Sequence, residues 1–243
     1  MTSNQHNSAQ RKPLHGMFTD IPPHYDLINC LITFGMDKHW RWKTARECLA
    51  FRPEKVLDLC CGTGDLAINI ALLAGENVEI AGLDYSKPML DIASKKAEQL
   101  VGKNRISFVH GDAAAIHFPD GYFDVVGISF AFRNLTYKNP QAERHIAEVL
   151  RVLRTSGKFV IVESSQPESK LIRQLFHLYL RWYVRRIGQL LSGNRGAYYY
   201  LAESAARFYN PDELRKLLIS AGFREVSFLT LFSGTAAIYV AIK

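Results

Sequence analysis

The sequence predicts an α/β fold: a central, mostly parallel seven-stranded sheet of Rossmann-like layout, flanked by helices and closed by a C-terminal β-hairpin. Three observations point there. A short apolar run, Val56 to Leu59, breaks into a glycine turn and then an apolar helix from Asp65 to Leu73. The same strand–helix alternation recurs through strand five. Two β-rich runs, Glu225 to Phe232 and Thr235 to Ile242, split by Ser233-Gly234, then read as the hairpin.

A chain of 243 residues is long enough for one large α/β domain with a full core. Thirty Lys and Arg against 23 Asp and Glu give a formal net charge of +7, which suits an acidic or membrane-surface partner. No basic-aromatic nucleic-acid module accompanies that charge, so no nucleic-acid partner is expected. The four cysteines, at positions 30, 48, 60 and 61, lack zinc spacing; no metal is expected, and small buried thiols in a reducing compartment are. No segment has the unbroken apolar length of a membrane span, and the polar N-terminus does not resemble a signal peptide. The expectation is a soluble, cytoplasmic protein.

Residues 1–16 are polar and aperiodic and read as a mobile tail; residues 17–243 read as one domain. Within 17–50, Phe18, Ile21, Tyr25, Ile28, Leu31 and Ile32 form a helical stripe, and a second helix spans Lys38 to Leu49. A helical segment ahead of the first strand covers a ligand cleft or packs as an edge layer, and the polar pair Tyr25-Asp26 favours the cover.

Gly62 and Gly64 let the turn take strained angles and let a ligand lie on the main chain. Strand two, from Asn77, ends at Asp84, where a carboxylate can accept ribose hydroxyls at the mouth of the sheet. Ser86 then opens a helix to Gln99, with Pro88 early in it. Strand three, Ile106 to His110, leads to Asp112 and Ala113, placed to read an adenine. Strand four, Phe123 to Ser129, runs into Arg133-Asn134, a polar pair among aromatics that is costly to leave unpaired. A helix covers Pro140 to Leu153, and Gly157 opens strand five, Lys158 to Glu163. Residues 165–208 interrupt the alternation. Between Lys170 and Leu191 an apolar stripe (Ile172, Leu175, Phe176, Tyr179, Trp182, Tyr183, Ile187, Leu190) opposes a basic one of Lys170, Arg173, His177, Arg181 and Arg185. Such a helix lies on an anionic membrane surface or packs as a lid, with the lid favoured. Tyr198 to Ser204 opens another helix, and Asn210-Pro211 caps one running to Ser220.

The turn Gly62-x-Gly64-x-x-Ala67, with Asp84 downstream, fits a dinucleotide as well as S-adenosylmethionine. The chain leaves little room for a dehydrogenase's second domain, and five strand–helix units ending in a hairpin are the layout of class I methyltransferases. Asp58, Gly62 and Gly64 suit the amino-acid end of a sulfonium ligand.

Several segments together resemble the quinone-biosynthesis C-methyltransferases of the demethylmenaquinone and ubiquinone pathways. They are Asp58 to Ala67, Met17 to Asp26, Phe34 to Asp37, Gly82 to Ser86, Gly111 to Ala113, Ile128 to Asn134, and Tyr200 to Ser204 with Phe208. The resemblance covers nearly everything from Met17 to Lys243. It implies cofactor contacts at Thr63, Asp84, Asp112, Ala113 and Ser129, with S-adenosylmethionine as cofactor and S-adenosylhomocysteine as product. It departs from the family at Arg154 to Gly157, Glu163 to Ser165, Ala202 and Tyr239, of which the last three bear on the acceptor pocket. The reaction it implies is C-methylation of a reduced prenylated quinone, demethylmenaquinol first, with a ubiquinone precursor or another phenolic or lipid acceptor as alternatives. A non-catalytic cofactor-binding subunit is the remaining alternative. For the chemistry, Arg133 would stabilise a phenolate, Tyr25 or Asn134 would fix the ring, and Asp65 would either orient a water or serve the first turn of its helix. A prenylated substrate lives in the bilayer, so residues 170–191 would suit peripheral contact with the inner face of the cell membrane. Whether the chain forms a homo-oligomer is left open.

Overall fold

A computed structural model describes residues 25–192 and 195–243. The expected tail, the start of the N-terminal stripe and the Tyr25 side chain lie outside them. Seven strands form one sheet in the order β3-β2-β1-β4-β5-β7-β6. They are β1 (Lys55–Leu59), β2 (Glu79–Asp84), β3 (Ser107–His110), β4 (Phe123–Ser129), β5 (Leu153–Ser164), β6 (Glu225–Leu231) and β7 (Ala236–Ile242). The first five run parallel, and β7 enters antiparallel between β5 and β6. The order reverses at β1 and β4, and the crevice at such a switch point is where ligands bind in open α/β sheets.

The helices are α1 (Tyr25–Thr33), α2 (Met36–Leu49), α3 (Asp65–Leu73), α4 (Lys87–Val101), α5 (Phe132–Thr136), α6 (Ala142–Val152), α7 (Lys170–Tyr179), α8 (Arg185–Ser192), α9 (Arg195–Ala206) and α10 (Pro211–Ser220). A π-helical turn, Leu180–Val184, joins α7 to α8. Alternation along β1 sends Leu57 and Leu59 to one core, with Phe123, Phe159 and Phe223, and Val56 to the other, with Trp40, Leu66 and Ile70. The third apolar cluster owes nothing to the sheet. Ile28 and Ile32 of α1 pack with Leu180, Val184, Tyr198, Ala202 and Ala205, so the N-terminal helix and the 165–208 segment share one core.

Local chemistry explains the joints. Asp124, nearly buried, accepts from the Glu54 and Lys55 N–H groups at 2.6 and 2.8 Å, stapling the start of β1 to β4. Asn210 and Glu213 form a reciprocal capping box on α10.

The structure differs from expectation in three places. Strand five begins at Leu153, directly after α6, because Leu153 pairs with Phe123 before a register shift restores pairing at Lys158; Ser156, at φ 63°, sits in that irregular stretch. Helix α5 occupies what read as a strand exit, being five residues and too short to show periodicity. The apolar stripe of 170–191 is not all inward: Leu175, Trp182 and Leu190 are exposed, together with Leu171 and Leu178. His177, placed on the basic stripe, instead meets Gln166 Oε1 at 2.8 Å, and Gln166 in turn donates to the Ala205 carbonyl at 2.7 Å. Burial, with Arg173 and Arg181 nearby, pushes its imidazole below the usual histidine range, so it adds no charge to that stripe at neutral pH.

Candidate active site

The crevice opens at the carboxyl ends of β1, β2 and β4 into a cavity of about 900 Å³, bounded on its other side by α1, α7 and α9. At its floor the chain doubles back sharply. Cys60 and Gly62 both take left-handed backbone angles, φ 54° each, and Gly64, φ 81°, starts α3. A Cβ on Gly64 would lie 3.0 Å from Ala93 and 3.2 Å from the Phe108 ring, whereas one on Gly62 would meet nothing. The first glycine thus presents bare main chain to the cavity, and the second lets α3 close on its neighbours.

Backbone donors fix the acidic side chains around this turn. Asp58, 1 % exposed, accepts from the Ala67 N–H at 2.9 Å. Burial pushes its carboxyl up to about 8; that hydrogen bond and Arg41 oppose the rise, while Asp84 and Asp65 add to it. Asp84 accepts from Gly62 N–H and Ser86 N–H, each at 2.8 Å, and burial raises its carboxyl against those bonds. Asp112 turns back on itself to accept from Ala114 N–H at 2.8 Å. Asp58, Asp84 and Asp112 all line the cavity, as do Gly62, Thr63 and Ser129; Ala113 is buried behind Asp112. Cys60 and Cys61 also line it. Burial, then Asp84, Asp58 and Asp112, hold the Cys60 thiol well above its usual range; burial, Asp58 and Asp84 do the same for Cys61.

At the other end of the cavity the polar groups are held by side chains. Arg133, 3 % exposed, donates through Nη1 to Glu163 Oε1 at 2.8 Å and Ser164 Oγ at 3.0 Å, while its own N–H reaches Glu163 Oε2 at 3.0 Å. The sequence flagged Arg133 but gave Glu163 no role, and the pair is separated by 30 residues. Around it sit buried polar atoms that find no hydrogen-bond partner among the described residues: Arg133 Nε, Asn134 Oδ1, Ser129 Oγ, Tyr137 OH and Tyr200 OH. Tyr200 lies close enough to feel both Arg133 and Glu163, and burial raises its phenol. Such a cluster is costly unless something else completes it. Between the two polar ends the walls are apolar: Ile32, Phe34, Ile172, Phe176 and Tyr179 all line the cavity.

Asp65 stands just after the turn, in the first turn of α3. It is engaged by Lys96 at 2.6 Å and lies 3.7 Å from Arg41, so it belongs to an ion lattice beside the turn and not to the Arg133 pocket. No group of three or more metal-ligating side chains occurs among the described residues, and no helix among them is long and apolar enough to cross a membrane.

Comparison with known proteins agrees with this geometry. The model of the ubiE/COQ5 methyltransferase family matches residues 4–243. The demethylmenaquinone methyltransferase of Deinococcus radiodurans is 40% identical over 229 residues, covering 93% of this chain and 91% of the relative. That of Thermus thermophilus is 39% identical over 224 residues (92% and 98%), and that of Bacillus licheniformis 38% over 235 (97% and 98%). Among solved structures, a SAM-dependent methyltransferase from Thermotoga maritima superposes with a TM-score of 0.63 at 17% identity, covering 93% of this chain and 98% of that one. Another from Aquifex aeolicus gives 0.54 at 19% identity, with 78% and 81% covered.

Proposed function

Because the chain belongs to the ubiE/COQ5 methyltransferase family, we propose that it methylates a ring carbon of a reduced prenylated quinone, demethylmenaquinol above all. The relatives named for that reaction support the reading. The observation that carries it is the cavity's two-ended character. One end is backbone-lined and acidic, the other holds a buried Arg–Glu pair ringed by unpartnered polar atoms, and the walls between are apolar.

The residues fit S-adenosylmethionine, which supplies an electrophilic methyl on a sulfonium. Gly62 offers main chain with open space before it, and Ser129 Oγ is buried and unpartnered among the described residues. Asp84 would take the ribose hydroxyls with lone pairs left over from Gly62 and Ser86, Asp112 and Ala113 the adenine, and Thr63 and Ser129 the centre. Asp58, whose carboxyl is raised by burial to about 8, would ionise as the cationic end comes to lie beside it.

At the acceptor end a quinol ring carbon becomes nucleophilic as its neighbouring hydroxyl loses a proton to water. Arg133 remains charged at any working pH and does not take that proton. With Nη1 engaged by Glu163 and Ser164, its Nε–H is the donor for the developing phenolate oxygen, and Asn134 fixes the second ring oxygen. Tyr25, at the start of α1, is the other residue proposed to fix the ring. Holding the carbon in line with the methyl can supply about 7–11 kcal/mol of the barrier. One proton is released per methyl transferred.

The prenyl tail would leave along the apolar walls toward α7. There Leu171, Leu175, Leu178 and Trp182 are exposed beside Lys170, Arg173, Arg181 and Arg186, a face suited to peripheral contact with an anionic bilayer. Incubating the purified protein with methyl-labelled S-adenosylmethionine and reduced demethylmenaquinone or demethylated benzoquinones, in anionic or neutral vesicles, tests both points. Methylation of the naphthoquinol is expected, faster from anionic vesicles. Methylation of the benzoquinols alone would move the substrate, and equal rates from both vesicle types would remove the bilayer contact.

A further inference from the structure

Beside the glycine turn, an ion lattice joins α1, α2, α3 and α4. Thr63 Oγ1 donates to Asp26 Oδ1 at 2.8 Å, and Lys96 Nζ bridges Asp26 Oδ2 at 2.7 Å and Asp65 Oδ1 at 2.6 Å. Arg41 Nη1 pairs with Asp37 Oδ2, and Thr33 Oγ1 donates to Asp37 Oδ1 at 2.7 Å. The remaining contact, Arg41 to Asp65 Oδ2, is the longest at 3.7 Å.

The cluster runs from partly exposed to buried: Asp26, Asp65 and Lys96 are 41%, 32% and 24% exposed. The Arg41 and Asp37 side chains are 11% and 5% exposed, and the Arg41 guanidinium lies 5.4 Å above the Phe130 ring, next to Ser129. Arg41, Asp37, Asp65 and Thr63 face the same cavity as the crevice carboxylates. Holding such charges out of water is expensive unless they are closely paired; of the two Arg41 pairs that face the cavity, the one with Asp37 is tight and the one with Asp65 is loose.

We propose, on the basis of the donor reading above, that this loose pair is the seat for the amino-acid end of S-adenosylmethionine. Arg41 takes the α-carboxylate and Asp65 the α-ammonium. The physical case is charge matching. A zwitterion placed between Arg41 and Asp65 offers each an opposite partner, so the lattice admits it without burying net charge. The planar guanidinium suits a two-pronged hold on a carboxylate, which an ammonium could not give. Asp37 and Phe130 fix the guanidinium from below, and Lys96 holds the other oxygen of Asp65 in place. Asp26, reaching from α1 to Thr63 and Lys96, lays the cover across this end. The polarity agrees with the rest of the crevice: acidic strand ends for the nucleoside, and a guanidinium for the carboxylate.

The test is calorimetry with three ligands. S-adenosylhomocysteine carries the whole amino-acid end, its decarboxylated analogue lacks only the carboxylate, and 5′-methylthioadenosine lacks both charges. Arg41→Gln is expected to weaken S-adenosylhomocysteine about 10- to 100-fold, the size of a lost charge-assisted hydrogen bond, and to leave the other two unchanged. Asp65→Asn should weaken S-adenosylhomocysteine and the decarboxylated analogue but not 5′-methylthioadenosine. Arg41→Lys, which keeps the charge on Asp37 paired, should give a smaller loss with the same ligand dependence and covers the case in which the glutamine variant folds poorly. Equal losses for all three ligands, or none, would overturn the assignment. Failure of the wild-type protein to bind any of them would overturn the donor reading itself and this seat with it.

Discussion

The two ends of the cavity are built on opposite principles. Beside the glycine turn, the three strand-end carboxylates are held by main-chain N–H groups: Asp58 by Ala67, Asp84 by Gly62 and Ser86, Asp112 by Ala114. At the Arg133 end, Glu163 also takes the Arg133 and Ser164 N–H groups, but its charge is met by a side chain 30 residues away, and several polar atoms find no partner among the described residues. A backbone-built end keeps its shape whatever side chains surround it. An end built from side chains can be re-cut for a new acceptor by a few substitutions. On the reading proposed above, donor recognition would rest on the strand ends, the glycine turn and the Arg41–Asp65 pair, and acceptor choice on α5, β5 and the helical cap of α1, α7, α8 and α9.

The largest effect is expected where that second principle is most exposed. Arg133→Ala leaves the Glu163 carboxylate fully buried and uncompensated, which typically costs about 3–5 kcal/mol, and should lower methyl transfer by about 10²–10³-fold. Replacing both partners, Arg133→Met with Glu163→Leu, should recover most of the stability, since an apolar pair of similar volume is often no worse than a buried ion pair. That double variant should still bind S-adenosylmethionine and remain inactive. Denaturant melts, calorimetry and labelled methyl transfer read the three quantities separately; a double variant that methylates normally would remove Arg133 from the chemistry.

Next comes the independence of the cap. A Cβ at Gly188 would stand 2.1 Å from the Tyr198 ring, where α8 and α9 meet. Gly188→Ala should therefore cost about 1–3 kcal/mol of overpacking, confined to the third core. Hydrogen exchange is expected to quicken in α1, α8 and α9 and to stay unchanged in β1, β4 and β5. An equal rise in the sheet would mean that the two regions open together, and the contrast between them would fail.

The smallest effect concerns Asp58. Its carboxyl is raised to about 8 in the folded protein, against about 3.9 for an unperturbed Asp. A raised carboxyl favours the folded state while protonated, so its contribution is complete below about pH 4 and is lost as pH rises through about 8. A cation beside it favours the ionised form. Donor binding at pH 7 should then release protons, and affinity should climb by at most about tenfold per pH unit toward pH 8. Calorimetry at pH 7 in buffers of different ionisation enthalpy measures this; uptake of protons would show that Asp58 does not face the cationic end.

How much of this could be read in the chain follows the same division. The succession of strands and helices, the hairpin and the crevice carboxylates are local: each sits within a few residues of a glycine, a capping residue or a strand end that marks it. Arg133 and Asn134 stood out because a polar pair is conspicuous after a buried strand. Glu163 did not, because at the end of β5 it looks like any other terminal carboxylate until the fold brings α5 over it. Helix α5 itself, five residues long, carries no period to find. The ion lattice drew on four helices, so Asp65 was visible and its partners Lys96 and Arg41 were not. The exposed row on α7 was hidden by its own richness, since apolar residues on two faces read as one broad stripe.

The raised thiols at the turn have a bearing on the protein's own survival. Cys60 and Cys61 line the cavity into which a methylating agent is delivered, and a thiolate is a far better methyl acceptor than a quinol carbon. Burial and the surrounding carboxylates keep both sulfurs protonated, and a thiol reacts only weakly where its anion would react readily. On the donor reading proposed above, the acidic crevice would draw a cationic donor and at the same time keep two thiols that line it in their less reactive form, guarding the turn against alkylating itself.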